Sequence, residues 1–290
     1  MSKVWFITGA TRGLGTQIGR AALAAGDKVV VTGRRSEAVT QAFGPDSDRV
    51  LSLALDVTRE DQAQAAVEAA VARFGQIDVL VNNAGYGVLA LFEETGDADA
   101  RAQYDTNLFS VMNVTRAVLP VMRRRRSGRI FNISSLGGIV GSQSGSLYCG
   151  AKFAVEGFSE ALADEVARFG IRVSIVEPGF FRTDFLDETS AQYSSRPLED
   201  YAEVSEQLRR AYRDHNHKQA GDPMKLARAI VSIAGHENPP LRFAAGSDAV
   251  AGVRGKISRL QADLDAWENL SRSTDADSAT KEKQERALEA

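Results

Sequence analysis

The chain has 290 residues, 43% of them hydrophobic and 25% charged, the balance of a globular protein with enough apolar material for a core. Its formal net charge of −3 gives no electrostatic basis for binding nucleic acid or an anionic membrane surface. A single cysteine excludes an internal disulfide framework and fits a reducing, cytoplasmic setting.

At the N-terminus Met1-Ser2-Lys3-Val4 runs straight into a strand, which leaves no room for a signal peptide. Val4-Trp5-Phe6-Ile7-Thr8 reads as that strand, short and buried. Gly9-Ala10-Thr11-Arg12-Gly13-Leu14-Gly15 follows, and then Ile18, Ala21, Ala22 and Ala25 at helical spacing. Strand, glycine turn and helix in that order make a seat for a pyrophosphate. Glycines let the backbone approach a ligand, and the helix N-terminus offers free N–H groups and the positive end of its dipole. The spacing is TGxxxGxG, not the GxGxxG of the common dinucleotide fingerprint. Further strands are predicted at 28–32, 50–54, 79–81, 129–133, 173–176 and 241–244, and helices at 61–74, 106–123, 148–168 and 225–234. Such alternation predicts an α/β fold, a Rossmann-type doubly wound, mostly parallel sheet with helices on both faces in a single domain. No apolar stretch approaches the ~20 residues of a membrane span.

Tyr148 and Lys152 stand four apart, thirteen residues after Ser135. Four residues is one helical turn, so phenol and ammonium project from one face. A cation at that distance is expected to lower the phenol's pKa toward the working pH and fit it for proton transfer to or from a carbonyl oxygen.

Together these residues resemble the short-chain dehydrogenase/reductase family in its single-domain subgroup, over residues 3–246. Gly9, Gly13 and Gly15 match the cofactor-loop glycines, and Asp56-Val57 the pair that lies against the adenine. Asn82-Asn83-Ala84-Gly85 matches the NNAG stretch, and Asn107 the helix asparagine that holds a water in the proton relay. Ser135, Tyr148 and Lys152 match the catalytic serine, tyrosine and lysine; Pro178-Gly179 and Thr183 match the segment that meets the nicotinamide carboxamide. The resemblance implies hydride transfer between a nicotinamide and a carbonyl or alcohol carbon, with Tyr148 as general acid/base. It makes Thr11, Arg12, Leu14, Arg34, Asn83, Ala84 and Gly85 further cofactor contacts, and gives Lys152 a second role on the nicotinamide ribose. Cys149-Gly150-Ala151 fills the gap where Ser-Ala-Ser is common; these residues are expected to face away from the Tyr148/Lys152 side.

Charge argues for the cofactor. The second strand ends in Gly33-Arg34-Arg35, where NAD-preferring proteins place an acidic side chain on the adenosine ribose. With Arg12 in the glycine loop, two guanidiniums fit a 2′-phosphate, and NADP(H) is the expected cofactor. Longer nucleotide-sugar lyases and epimerases use TGxxGxxG, which this loop lacks. The remaining alternative to a carbonyl reductase or alcohol dehydrogenase is a non-catalytic NADP(H)-binding sensor or scaffold.

Residues 1–247 are read as the catalytic domain, with a substrate lid at about 184–222, an amphipathic helix at 248–271 and a flexible polar tail at 272–290. The lid's Phe185, Tyr193, Tyr201 and Tyr212, with Phe180-Phe181 before it, either line a pocket for a moderately hydrophobic ketone or aldehyde or anchor the lid to the body. His215 and His217 have no other ligand cluster near them in sequence, so no metal is expected. Arg123–Arg126 is read as a solvated helix end, not a nucleic-acid contact. In the C-terminal helix Val250, Val253, Ile257, Leu260, Leu264, Trp267 and Leu270 recur every three or four residues. Packing on its own subunit is the first expectation and a partner chain the second. A homodimer or homotetramer would suit the family's habit of pairing through the helices that here carry Asn107 and Tyr148.

Overall fold

Runs of apolar residues long enough for a strand, separated by amphipathic helices, require a sheet covered on both faces. The computed structural model, which describes residues 2–276 apart from residue 188, has that form. Seven parallel strands, β1 (Val4–Ile7), β2 (Lys28–Gly33), β3 (Val50–Ala54), β4 (Val79–Asn82), β5 (Gly128–Ile133), β6 (Ile171–Pro178) and β7 (Arg242–Ala245), lie in the order 3-2-1-4-5-6-7. The helices are α1 (Gly13–Ala24), α2 (Ser36–Phe43), α3 (Glu60–Phe74), α4 (Asp97–Tyr104), α5 (Ser110–Arg125), α6 (Ser146–Ala167), α7 (Ala202–His215), α8 (Pro223–Gly235) and α9 (Ser247–Arg272).

The period of two along β1 splits the core. Val4 and Phe6 join Val30, Leu80 and Ile130 beneath α3, α5 and α6. Trp5 and Ile7 join Val29, Val31 and Val79 beneath α1 and α8, through Ile18, Leu226 and Ile230. Each such side chain taken from water stabilises the fold by ~1.5–3 kcal/mol. In β1, Phe6 lies opposite Val30 on one side and Leu80 on the other. The strand order reverses between β1 and β4, which opens a crevice at their carboxyl ends.

Two elements differ from expectation. The helix foreseen at 106–123 begins as a π turn at Asp105–Phe109 before α5 proper, a distortion common at functional sites. The C-terminal helix forms as α9, but it does not lie back on its own subunit. Ala249 is its one buried residue among those described, while Ile257 is 61% and Trp267 63% exposed. Its first turns meet β7 and residues 136–138, and the Lys256 ammonium sits 5.9 Å from the centre of the Phe153 ring. From residue 257 onward α9 extends into solvent. Spacing identified the apolar face; it carried no information about what covers that face. Of the tail expected at 272–290, residues 277–290 lie outside the described residues. Among the described residues no helix is long and apolar enough to cross a membrane.

Candidate active site

The carboxyl ends of β1 and β4 are tied together by Thr8, which is 2% exposed. Its hydroxyl accepts the N–H groups of Asn83 and Ala84, both at 3.0 Å. Asn83 returns the tie, donating Nδ2 to the carbonyls of Thr8 and Gly9 at 3.0 Å each. The glycine loop is pressed onto this frame. Gly9 has φ +64°, and a Cβ there would lie 2.8 Å from the Ala84 Cα. A Cβ on Gly15 would lie 2.4 Å from the Gly9 carbonyl oxygen, so only glycine fits without a shift of main chain. Arg12, the N-cap of α1, makes no side-chain cap, and the first turn carries no acid. The helix N–H groups are therefore left for an anion.

Behind this frame, Asn82 Nδ2 donates to Thr115 Oγ1 at 2.9 Å and to Asn132 Oδ1 at 2.8 Å, and Asn132 Nδ2 donates to Ser159 Oγ at 2.8 Å. All four are buried. Thr8, Thr115, Asn132 and Ser159 were not singled out for this role from sequence. The one signal was a polar residue, Asn132, between Phe131 and Ile133 in a buried stretch of strand.

Ser135 follows β5, and its Oγ accepts the Gly137 N–H at 2.9 Å. The Tyr148 phenol, which α6 presents from its first turn, lies near enough to this hydroxyl for it to favour the ionised phenol. Lys152 is one turn further on, with Nζ 5.9 Å from the Tyr148 ring centre and donating to the Ile133 carbonyl at 2.7 Å. The expected lowering of the Tyr148 pKa is not what this environment produces. Burial pushes the phenol up to about 12, only partly opposed by the Ser135 hydroxyl. Burial also pushes Lys152 down to about 8, with Glu156 supporting its charge. The two side chains are desolvated together, and the ammonium is engaged by a carbonyl, not by the phenol.

Asn107, held by the π turn and fully buried, brackets the Tyr86 main chain: Oδ1 accepts its N–H at 3.1 Å and Nδ2 donates to its carbonyl at 2.8 Å. The side-chain amide expected to hold a water is thus engaged with backbone. Beyond Lys152 lies a charge cluster that the sequence did not disclose, with Glu156 and Glu177 buried and Arg242 and Glu160 exposed. Arg242 Nε lies 3.2 Å from Glu156 and 3.7 Å from Glu177, and its Nη2 is 2.5 Å from Glu160. Burial raises Glu156, and burial together with Glu156 raises Glu177 to about 7.

Every expected catalytic and cofactor residue lines one cleft of about 730 Å3 except Gly15 and Asn107, which are buried behind its wall. At the adenosine end a Cβ on Gly33 would lie 2.5 Å from Thr11 Cγ2 and 3.0 Å from Val39 Cγ2. Arg34 is exposed at the rim and makes no ion pair with any described residue. Arg12 departs from expectation, since its guanidinium donates to Thr189 Oγ1 at 2.6 Å and to the Thr189 carbonyl at 2.9 Å. It ties the glycine loop to the lid. Cradle, uncapped helix and rim arginine fit a dinucleotide.

The other end is apolar, walled by Leu89, Leu136, Val140, Phe181, Phe185 and Leu186. The lid aromatics divide between the two expected roles. Phe185 packs 5.5 Å from the Tyr148 ring centre and Tyr212 lines the cleft, whereas Tyr201 bonds Glu93 at the surface. Glu94, 1% exposed, anchors the lid by accepting Ser205 Oγ at 2.5 Å and the Leu198 N–H at 3.2 Å. Cys149, expected to face away, reaches the cleft wall with its thiol toward the Val140 carbonyl at 3.9 Å. His217 also gains neighbours that its sequence position did not imply: its Nε2 is 3.0 Å from Asp187 Oδ1, with Asp184 close by. Asp187 Oδ1 is already held by Asn216 Nδ2 at 2.6 Å.

Residues 3–194 match the family model for short chain dehydrogenase. Oxidoreductase BOA17 of Botryotinia fuckeliana (strain B05.10) is 41% identical over 274 residues, spanning 93% of this chain and 98% of that protein. The crystal structure of a short-chain dehydrogenase from Streptomyces avermitilis shares 42% identity with a TM-score of 0.85, over 95% of this chain and 100% of that one. The structure of ElxO with NADP bound gives a TM-score of 0.68 at 30% identity, over 82% and 94% of the two chains. The chain belongs to the short-chain dehydrogenase family and is an oxidoreductase.

Proposed function

We propose that the chain is an NADP(H)-dependent oxidoreductase that interconverts a ketone or aldehyde with its alcohol, with Tyr148 as general acid/base. The observation that carries this reading is the convergence of Ser135, Tyr148 and Lys152 on the wall of one cleft, with Lys152 one helical turn from Tyr148 on α6. When bound, the nicotinamide supplies hydride to the carbonyl carbon. Tyr148 transfers its phenolic proton to the carbonyl oxygen as charge develops there, and Ser135 donates a hydrogen bond to that oxygen. A phenol pushed up to about 12 stays protonated at neutral pH, which suits the reductive direction. Lys152 keeps positive charge beside the phenolate that remains. Asn107 contributes by fixing the main chain of Tyr86, which borders the cleft.

Selectivity for NADP(H) is supported by two features of the rim. Thr11 and Val39 crowd the position where an acidic side chain on residue 33 would start, and Arg34 stands unpaired beside it. The ElxO complex is consistent with NADP in this fold. Arg12 reaches the phosphate only by leaving Thr189, so the lid and the cofactor compete for one guanidinium. Apolar walls from Leu89, Val140 and Phe185 favour a moderately hydrophobic carbonyl compound.

The test follows nicotinamide absorbance with NADPH or NADH against aldehydes, ketones, quinones and ketosteroids, with Tyr148→Phe as control. Turnover by the wild type alone supports the reading and shows the carbonyl class. Bound NADPH without turnover across the panel favours the sensor alternative. Equal affinity for the two cofactors, or an Arg34→Asp variant that still prefers NADPH, would sink the NADP(H) assignment.

A further inference from the structure

Helix α9 carries a face that its own subunit does not use. Val250, Ile257, Leu260, Leu264 and Trp267 are 40%, 61%, 54%, 58% and 63% exposed. With Val253 they are spaced 3-4-3-4-3, the strict repeat of a two-helix seam and narrower than the stripe of a helix lying on a globular body. Contiguous apolar surface of this kind marks an interaction site.

The charges beside the stripe select the occupant. Arg254, Lys256 and Arg259 lie in the N-terminal half of α9, and Asp263, Asp265 and Glu268 in the C-terminal half. Asp248 in the first turn and Arg272 in the last suit the helix dipole; the order between them, basic and then acidic, is not explained by it. That order does complement a second α9 running the other way. A parallel pair would set Asp263 against Glu268 of the second copy, like charge on like.

We propose that α9 forms an antiparallel two-helix seam with α9 of a second copy of this chain, about a two-fold axis between Ser258 and Arg259. Ile257 then packs on Leu260 of the second copy, Val253 on its Leu264 and Val250 on its Trp267, each contact occurring twice as a two-fold interface requires. Lys256 comes alongside Asp263 of the second copy, again twice. The seam spans eighteen residues, about 27 Å at 1.5 Å per residue. Twelve apolar side chains buried at roughly 100 Å2 apiece reach about 1,200 Å2, the lower bound for a specific interface.

Sedimentation of the full chain through a dilution series tests the seam. The monomer mass is 31.3 kDa; wild type is expected to sediment at an even multiple of it. The variant Leu260→Lys/Leu264→Lys halves the wild-type mass and still unfolds cooperatively, because neither side chain packs in the body; its Tm loses only the wild type's dependence on concentration. Dissociation shifts Trp267 emission to longer wavelength over a constant signal from Trp5, which is fully buried. Lys256→Glu and Asp263→Lys each weaken the assembly, and the two combined in one chain restore it. A wild type that is monomeric throughout, or a Leu260/Leu264 variant of unchanged mass, overturns the proposal. Single charge variants that weaken the assembly without rescue in the combined chain overturn the antiparallel pairing. A monomeric chain that binds phosphatidylcholine vesicles through this face would assign it to lipid, and the seam would be wrong.

Discussion

Burial acts in opposite senses on Tyr148 and Lys152, and the two directions assign the limits of the pH profile. The phenol, pushed up to about 12, keeps its proton across any practical assay range. The ammonium, pushed down to about 8, does not. Carbonyl reduction is therefore expected to decline as pH rises past about 8, with Lys152 and not Tyr148 as the titrating group. Glu156 is the one charge supporting that ammonium, so Glu156→Gln should move the alkaline limb to lower pH while leaving NADPH affinity at pH 6 little changed. An unmoved limb in the variant would separate it from Lys152. Tyr148→Phe should lose a factor of ~10²–10⁴ in turnover with cofactor affinity retained, measured by NADPH fluorescence titration. Near-full activity in that variant would remove Tyr148 from the chemistry.

The elements of this fold differ in how much of them the sequence reveals. Strands β1, β2 and β4 are buried on both faces, so their apolar runs are unbroken and legible. The glycine loop is legible because close approach of backbone to backbone leaves no room for any other residue at Gly9 and Gly15. The π turn at Asp105–Phe109 is not, since inserting one residue into a helical turn changes no apolar spacing that a reader could use. Nor is the role of Glu94, because an acid flanked by Glu93 and Thr95 reads as surface until the lid folds over it. The π turn exists to aim Asn107 at both polar groups of Tyr86. Asn107→Leu leaves that N–H unpartnered, at about 1–3 kcal/mol, while the carbonyl keeps the bond from Gln103 Nε2 at 3.0 Å. Urea denaturation should show that loss, together with reduced turnover, since Tyr86 and Gly85 border the cleft. Gly9→Ala should act through the loop instead, weakening NADPH binding because its Cβ meets the Ala84 main chain. Unchanged binding in Gly9→Ala would mean the loop relaxes more freely than this packing implies.

Across the whole molecule, charge is concentrated where stability is least served. Lys152, Glu156, Glu177 and Arg242 join α6, β6 and β7 through groups that the chain could have replaced with apolar ones, the pattern expected where a site trades stability for function. No spacing in the sequence announces this cluster, because its members are scattered along α6, β6 and β7 except for the Lys152/Glu156 pair. Glu177 gives the cleanest test. Its pKa is raised from 4.5 to about 7, by burial first and by Glu156 second, against the opposing pull of Arg242. A group whose folded pKa exceeds its unfolded value favours the fold below the unfolded pKa, and that contribution is lost as pH rises through the folded one. The native protein thus carries a penalty for ionised Glu177 that is absent well below pH 4.5, grows from there and is complete above pH 7. Glu177→Gln removes the ionisation and should stabilise the chain at pH 8 by about 1–3 kcal/mol, a rise of a few degrees in Tm. At pH 3, where the carboxyl is largely neutral in both states, the two proteins should melt together. A variant that melts below wild type at pH 8 would show that the 3.7 Å contact with Arg242 outweighs the cost of burying the charge.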